Sequence, residues 1–253
     1  FEENKLSFEV VNKLLLTYPD GRMVKTKNGK IPLHYVVNDI NVTEALLASF
    51  EETAQIKDID GRLPLHRAAT DSKASLGVIS ILIASFPGSA KVKDLDGRLP
   101  LHYAVREQIS IEIVQIILNA YPEAVKEKDG KHDQLPLSYA IEYKAPLAVS
   151  LALLKIDPSA TQEMDSYGKL PLEYALSTMA PIKLVEELLL IFPNAAKKRN
   201  KKRNNMLHVA MSSDFIGLDV DQSKKDRETI KEGDRVCLVV KTSESEVGSV
   251  GVI

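Results

Sequence analysis

A segment of this chain that occurs twice constrains the fold more than any other feature. DIDGRLPLHRAA, from Asp58 to Ala69, returns as DLDGRLPLHYAV, from Asp94 to Val105. Weaker copies lie on both sides, and one residue marks the same place in each copy: Pro32, Pro64, Pro100, Pro136, Pro171 and Met206. The copies therefore recur every 32 to 36 residues. A period in this range predicts a solenoid of stacked units.

Stacked units form an extended surface rather than one deep cleft, so recognition is favoured over catalysis. The sequence has no Gly-rich phosphate loop, no His-Glu-x-x-His motif and no cysteine pair. Its single cysteine, Cys237, fits a reducing compartment, and a net charge of −2 gives no overall attraction to nucleic acid or an anionic membrane. No apolar run reaches the ~18 residues of a membrane span. We therefore expect an intracellular protein, cytoplasmic or nuclear, with no cofactor. The start, FEENKLSF, lacks Met and a signal pattern, which suggests an excerpt or a processed chain.

Each unit predicts two helices. The proline lies in the first turn of the first helix, where its missing N–H costs nothing. A column of small residues in that helix lets neighbours approach closely: Val36, Ala68, Ala104, Ala140, Ala175 and Ala210. The second helix is predicted to begin near Ser7, Asn41, Ser75, Ser110, Pro146 and Pro181. Its apolar-x-x-apolar-apolar spacing places one stripe on one face. A loop opening on an aromatic-Pro pair, as in Phe86-Pro87, ends many units.

The run Asp60-Gly61-Arg62-Leu63-Pro64-Leu65-His66-Arg67-Ala68-Ala69, with its twin from Asp96, resembles the ankyrin repeat. The resemblance covers residues 1–217, as a half unit followed by about six units. It implies an all-α array of helix-turn-helix units that binds a partner through a concave face of turn tips. Units of 35 to 36 residues are similar to the longer-period ankyrin arrays of some unicellular eukaryotes.

Two columns depart from the usual ankyrin pattern. The Thr before the proline is replaced by Ile31, Leu63, Leu99, Leu135 and Leu170. Without that hydroxyl, either another group caps the first turn of the helix or the first turn is less well held. The residue after the motif histidine is tyrosine at four positions: Tyr35, Tyr103, Tyr139 and Tyr174. We expect these tyrosines to pack between units. A ladder of partner contacts is the alternative.

The histidine column suggests a metal site at first sight. Four of the five histidines lie in it, namely His34, His66, His102 and His208. We expect these rings to bond turn backbone, because successive units hold them apart rather than around one ion. No metal site is predicted.

Candidate partner-binding residues lie at the turn tips. They are Lys30, Asp60, Arg62, Asp96, Arg98 and Lys169. The basic members form a possible ladder for acidic side chains or a peptide carboxylate. Pairing of Arg62 with Asp60 and of Arg98 with Asp96 would instead leave a solvated face. Reversing both arginines to Glu is expected to abolish binding without changing the melt.

A basic run precedes the last unit. Its members are Lys197, Lys198, Arg199, Lys201, Lys202 and Arg203. A solvated turn is the favoured interpretation, and a nuclear-import signal or an anionic contact is the alternative.

The pattern stops after Phe215, and residues 218–230 are predicted to be a linker. Two β-rich runs in residues 231–253 predict a hairpin. Gly233-Asp234-Arg235-Val236 with the final Gly248 to Ile253 is similar to the opening of an SH3-like module of the KOW or Mind-bomb kind. A lone hairpin is marginal in water, so this β module is predicted to be truncated.

The sequence thus predicts a monomeric, non-catalytic adaptor that binds another protein. The alternative is the substrate-recognition or regulatory arm of a larger enzyme, a ubiquitin ligase or kinase, whose catalytic domain lies outside this chain. Nucleic-acid binding is disfavoured by the net charge and by the lack of stacking aromatics near the basic run.

Overall fold

The computed structural model of the chain describes residues 8–48, 50–199 and 204–212. These residues form eleven α-helices. They are α1 (Phe8–Thr17), α2 (Ile40–Leu47), α3 (Pro64–Ala68), α4 (Leu76–Ser85), α5 (Pro100–Arg106), α6 (Ile111–Ala120), α7 (Pro136–Glu142), α8 (Leu147–Ile156), α9 (Pro171–Ser177), α10 (Ile182–Ile191) and α11 (Met206–Ser212). The predicted all-α class is confirmed. The predicted linker and β module, residues 218–253, lie outside the described residues.

The helices alternate in two stacked rows. The short helices α3, α5, α7, α9 and α11 begin at the repeated position, and each of the first four is followed by a longer helix. Within a row, α4 packs on α6 and α5 packs on α7. Across the rows, α5 packs on α6 and α7 on α8. The array is therefore the predicted stack of helix pairs, with α1 as a lone second helix at one end.

Helix starts follow the sequence signals. The Ser75 hydroxyl accepts the N–H of Gly77 at 3.2 Å, and α6, α8 and α10 begin directly after Ser110, Pro146 and Pro181. Helix α2 begins at Ile40, within one residue of the predicted start near Asn41. Asp39 is the cap there, because its carboxylate accepts the N–H of Val42 at 3.0 Å. Ser7 lies outside the described residues.

The loop after each second helix is more ordered than its sequence suggested. After the aromatic-Pro pairs, the backbone forms one turn of 3₁₀-helix: Pro19–Met23, Pro87–Lys91, Pro122–Lys126 and Pro193–Lys197. Proline supplies the first dihedral, and the carbonyl of the aromatic residue accepts an amide three residues later, as in Phe86 with Ser89 at 2.8 Å. The surplus residues of the long units therefore form a third short helix.

The aliphatic residue before each proline belongs to the core. Leu63, Leu99 and Leu170 expose 1% or less of their surface, and the small column behind them, such as Ala68 and Ala104, exposes none. Burying each leucine contributes about 2 kcal/mol that a threonine would not supply. The departure from Thr therefore strengthens the interior of each unit.

The turn tips are tight and need glycine. Gly29, Gly61, Gly97 and Gly168 all have φ between 71° and 78°. In the fourth unit Asp133 takes this conformation at φ 54°, as Asp and Asn do more readily than other residues.

We expect Gly97→Ala to destabilise the chain by at least about 2 kcal/mol, or roughly 5 °C in Tm. Its Cβ would overlap the backbone nitrogen of Gly130 in the next tip, in addition to the strain of a positive φ. A thermal melt measures the loss. Gly88→Ala is the matched control, because its Cβ would meet only ring atoms of Phe86. Equal melting temperatures for the two variants would contradict this account of the tip.

Candidate interaction surface at the turn tips

Each turn tip is organised by its first residue. The tips comprise residues 26–30, 58–62, 94–98, 129–134 and 165–169, here tips 1 to 5. In tip 3, Oδ1 of Asp94 accepts the N–H of Asp96 at 2.9 Å and that of Arg98 at 2.8 Å. Asp58, Asp129 and Asp165 do the same in their tips. Sequence reasoning missed this column, although its regular spacing before the tip glycine was a usable signal.

Backbone hydrogen bonds join each tip to the next. The N–H of Ile59 donates to the carbonyl of Asn28 at 3.0 Å, and the N–H of Leu95 donates to that of Asp60 at 3.0 Å. Gly130 and Asp96 continue the series at 2.8 Å. The tips therefore form one connected row with fixed spacing.

Three of the four tyrosines pack between units, as predicted. Tyr103, Tyr139 and Tyr174 are each 3% exposed. Their hydroxyls donate to the second carboxylate oxygen of the tip aspartates: Tyr103 to Asp94 at 2.5 Å, Tyr139 to Asp129 at 3.0 Å and Tyr174 to Asp165 at 2.5 Å. Burial raises the pKa of all three hydroxyls, and the carboxylates add to the effect, so they remain donors.

Tyr35 differs from the other three, with 59% of its surface exposed. Its unit has only the 3₁₀ turn Pro32–Tyr35 in place of a first helix. Its tip also begins with Thr26 in place of an aspartate. The tyrosine therefore lacks the buried carboxylate that draws the others inward.

The tip arginines point into the array rather than away from it. Nε of Arg62 donates to the hydroxyl of Tyr103 at 2.9 Å, and Nη1 lies 3.0 Å from Asp60. Arg98 donates to the same hydroxyl at 3.3 Å and forms an ion pair with Asp96. Only 20% and 11% of the two arginine side chains are exposed. Pairing with the neighbouring aspartates is thus confirmed.

The remaining predicted tip residues differ in exposure. Nζ of Lys30 lies 5.6 Å from the ring centroid of Tyr35, and Nζ of Lys169 lies 4.9 Å from that of Tyr174. The side chains of Asp60 and Asp96 are 53% and 44% exposed. The row brings all six predicted residues to one edge of the array, but the arginine heads are occupied within the chain.

The histidines cap the first helices. Nδ1 of His66 accepts the N–H of Leu63 at 3.1 Å, and Nε2 lies 3.3 Å from the carbonyl of Arg98 in the next unit. Nδ1 of His34 and His102 takes the same place. The rings of these three histidines therefore replace the missing threonine hydroxyl, and the predicted structural role is confirmed for them. His208 differs, because it is exposed and its Nδ1 lies 2.5 Å from Oδ1 of Asn205 rather than from turn backbone. In the parts of the chain that the structure covers, no three metal-ligating side chains come together.

Burial keeps these histidines neutral. Desolvation lowers the pKa of His66 and His102 to about 4, against the opposing fields of Asp94 and Asp129. For His66, a neutral ring with the proton on Nε2 accepts the N–H of Leu63 and donates to the carbonyl of Arg98, which matches the observed contacts.

Two aliphatic side chains stand out at the tips. Ile59 is 65% exposed and Leu95 is 78% exposed. Tyr167 of tip 5 is 54% exposed and stacks on His132 with centroids 5.6 Å apart. Sequence reasoning missed these residues, although an apolar residue between the two aspartates of the Asp-x-Asp-Gly turn was a signal. They are the large apolar side chains that the described tips expose.

Elsewhere the described surface carries shallow depressions. One of about 490 Å³ lies between α8 and α10, and one of about 380 Å³ lies where α7 and α9 meet the second helices. The first is lined by Leu151, Leu154, Lys155, Pro158, Lys183, Glu187 and Ile191. Neither includes a tip residue.

The basic run is described only in part. Lys197, Lys198 and Arg199 are exposed, with Lys198 lying 5.6 Å from the ring centroid of Phe192. Arg199 forms an isolated backbone bridge with Asn205. Lys201, Lys202 and Arg203 lie outside the described residues, so the import and anionic-contact interpretations stay predictions. None of the helices that the structure describes has the length and apolarity needed to cross a membrane.

One family model matches part of the chain. Residues 38–129 match a family model described as ankyrin repeats, in three copies. No curated protein matches the chain.

Solved structures of similar fold cover most of the chain. A human ASB11 ankyrin repeat domain matches with a TM-score of 0.64 and 18% identity, over 82% of this chain and 92% of that one. The ankyrin repeat domain of Bcl-3, an IkappaB-family protein, has a TM-score of 0.60 and 20% identity, over 81% and 89%. A third match is a chain in the complex of the predatory endopeptidase Bd0816 from Bdellovibrio bacteriovorus with immunity protein Bd3460. Its TM-score is 0.62 and its sequence identity is 16%, and the match covers 76% of this chain and 94% of that one. At these identities the likeness shows the fold.

Proposed function

Because the chain contains ankyrin repeats and folds as an ankyrin-repeat array, we propose that it is an intracellular, non-catalytic adaptor that binds another protein through its turn tips. The fold is a general protein-interaction module. One similar structure is a complex of an endopeptidase with an immunity protein, which supports the same use of the fold.

The exposed pair Ile59 and Leu95 carries the proposal. Both aliphatic side chains lie in neighbouring tips that are joined by the hydrogen bond from Leu95 N–H to the carbonyl of Asp60 at 3.0 Å. Apolar side chains held at fixed spacing lose little entropy when a partner covers them. Such residues are effective anchors for binding.

Arg62 and Arg98 support this surface rather than form it. Their guanidinium groups tie tips 2 and 3 to Tyr103, and so fix the backbone from which Ile59 and Leu95 project. Asp60 and Asp96 border the aliphatic pair on the exposed side. The predicted site is thereby extended to include Ile59 and Leu95.

We expect Ile59→Asp with Leu95→Asp to weaken partner binding by at least about thirtyfold, since two central apolar contacts cost about 1–2 kcal/mol each. The partner is first captured from source cells with the full chain, then purified and titrated by calorimetry. The thermal melt of the variant should match that of the wild type, because both side chains are solvated.

Ile156→Asp with Leu190→Asp is the matched control. These two aliphatic residues are 48% and 75% exposed on α8 and α10, away from the tips. The control should retain wild-type affinity. If the control loses the partner and the tip variant keeps it, the binding surface is not at the tips.

A further inference from the structure

The lysines of the tip row fall into two groups. One lysine precedes the first residue of each of tips 1 to 4: Lys25, Lys57, Lys93 and Lys128. Nζ of Lys93 lies 2.8 Å from Glu127, and Nζ of Lys128 lies 2.8 Å from Glu163. At tips 3 and 4 a carboxylate of the following unit therefore neutralises the lysine.

The first two tips lack these carboxylates. Glu127 directly precedes Lys128, and Glu163 directly precedes the equivalent residue of the next unit, Met164. The earlier units have Ile56 and Val92 at the position of these glutamates. Lys57 reaches across to the next unit as the others do, but it meets only the carbonyl of Lys93 at 3.4 Å. No carboxylate in the described ranges forms an ion pair with Lys25 or Lys57.

Tip 1 adds two further cations. Lys27 is exposed, and Lys30 is partly exposed with its Nζ over the ring of Tyr35. The salt bridges found among the described residues involve neither of them. Lys25, Lys27, Lys30 and Lys57 are here called the N-terminal basic patch. They place four cations at two adjacent tips, whereas Lys93 and Lys128, which precede tips 3 and 4, are paired.

Apolar surface lies within this patch. Tyr35 is 59% exposed, Ile59 is 65% exposed and Val24 is 52% exposed. The hydrogen bond of 3.0 Å from the N–H of Ile59 to the carbonyl of Asn28 holds tips 1 and 2 side by side. These two tips and the residues next to them therefore combine four cations with an aromatic ring and two aliphatic side chains.

We propose that the N-terminal basic patch binds an acidic segment of the partner protein, one in which Asp and Glu alternate with large apolar side chains. This rests on the proposed function and specifies the partner's chemistry at one end of the same surface. Carboxylates of the partner take the place that Glu127 and Glu163 fill at the later tips, and its apolar side chains cover Tyr35 and Ile59. Opposite charges on the two surfaces raise the association rate and select the partner.

Fluorescence anisotropy of the full chain with a labelled acidic peptide tests this. The peptide carries Asp and Glu interspersed with Leu and Phe. We expect Lys25→Glu/Lys27→Glu/Lys30→Glu/Lys57→Glu to weaken its binding at least about tenfold, from four solvent-accessible contacts. The corresponding Lys→Gln variant should bind the peptide with several-fold lower affinity. Thermal melts of both variants verify that they fold. Affinity should fall with added salt.

The control Lys73→Glu/Lys144→Glu/Lys155→Glu/Lys183→Glu changes the net charge equally at four exposed lysines away from the first two tips. It should leave peptide affinity within about twofold, because exposed charges beyond a Debye length of about 8 Å are screened. An equal loss in both variants would overturn the proposal. So would tighter binding to single-stranded DNA or to phosphatidylserine vesicles than to the acidic peptide.

The captured partner separates this proposal from the proposed function. If the partner binds the lysine variant as it binds the wild type but is lost by Ile59→Asp/Leu95→Asp, the adaptor function stands and the acidic-segment proposal fails. If neither variant affects the partner, the tip surface itself is excluded.

Discussion

Reversing two charges in the tip row, Arg62→Glu with Arg98→Glu, should lower the stability of the array by about 3–5 kcal/mol. Both guanidinium groups donate to the Tyr103 hydroxyl, which in turn donates to the buried Asp94. The reversal removes the donors and brings two more carboxylates toward Asp94. The expectation that this change leaves the melt intact is therefore revised.

Thermal denaturation followed by circular dichroism measures the loss, which we expect to exceed about 8 °C. The matched control is Arg62→Gln with Arg98→Gln. Tip 4 already has glutamine at this position, where Nε2 of Gln134 donates to the hydroxyl of Tyr174 at 2.7 Å. The melting temperature of the glutamine variant should fall by less than half as much as that of the charge-reversed variant. If the charge-reversed chain melts at the same temperature as the wild type, this hydrogen-bond network does not stabilise the fold.

The second large effect is a loss of stability on acidification from pH 7 to pH 4. The pKa of His66 and His102 is about 4 in the folded chain, against 6.5 for an exposed ring. Between these values the unfolded state binds more protons than the folded state, so stability is complete above pH 6.5 and falls as the pH drops toward 4. The difference corresponds to about 3 kcal/mol per histidine.

Chemical denaturation at a series of pH values tests this expectation. The variant His66→Gln/His102→Gln keeps a side chain that can accept the amide of Leu63 or Leu99 but cannot take up a proton. It should be less stable than the wild type at pH 7 and lose clearly less between pH 7 and pH 4. Parallel pH dependences of the two chains would rule out the histidines as the cause.

The helical array was predictable because each unit repeats the residues that mark its helix starts and its turns. Pro64 and Pro100 mark helix starts, Gly61 and Gly97 mark tips, and Ser75 caps a second helix in both sequence and structure. These signals are local, so a single sequence contains them. The 3₁₀ turns were missed because an aromatic-Pro pair marks the end of a helix without fixing the conformation of the next residues.

The direction of the tip side chains was not predictable, because contacts between units decide it. Arg62 and Lys30 occupy equivalent positions, yet Arg62 reaches Tyr103 of the next unit while Lys30 lies over the exposed Tyr35. The aspartate column was overlooked for the same reason. An acidic residue in a turn is usually solvated, and the burial of Asp94 depends on Tyr103 of its own unit and on Arg62 of the preceding unit, whose Nε lies 3.8 Å from its carboxylate.

Hydrogen–deuterium exchange of the full chain, alone and with the purified partner, tests the central claim most directly. Binding at the tips predicts slower exchange of backbone amides in residues 58–62 and 94–98 of the complex, with little change in α8 and α10. Protection confined to α8 and α10, with the tips unchanged, would contradict the claim that this array binds its partner through the turn tips.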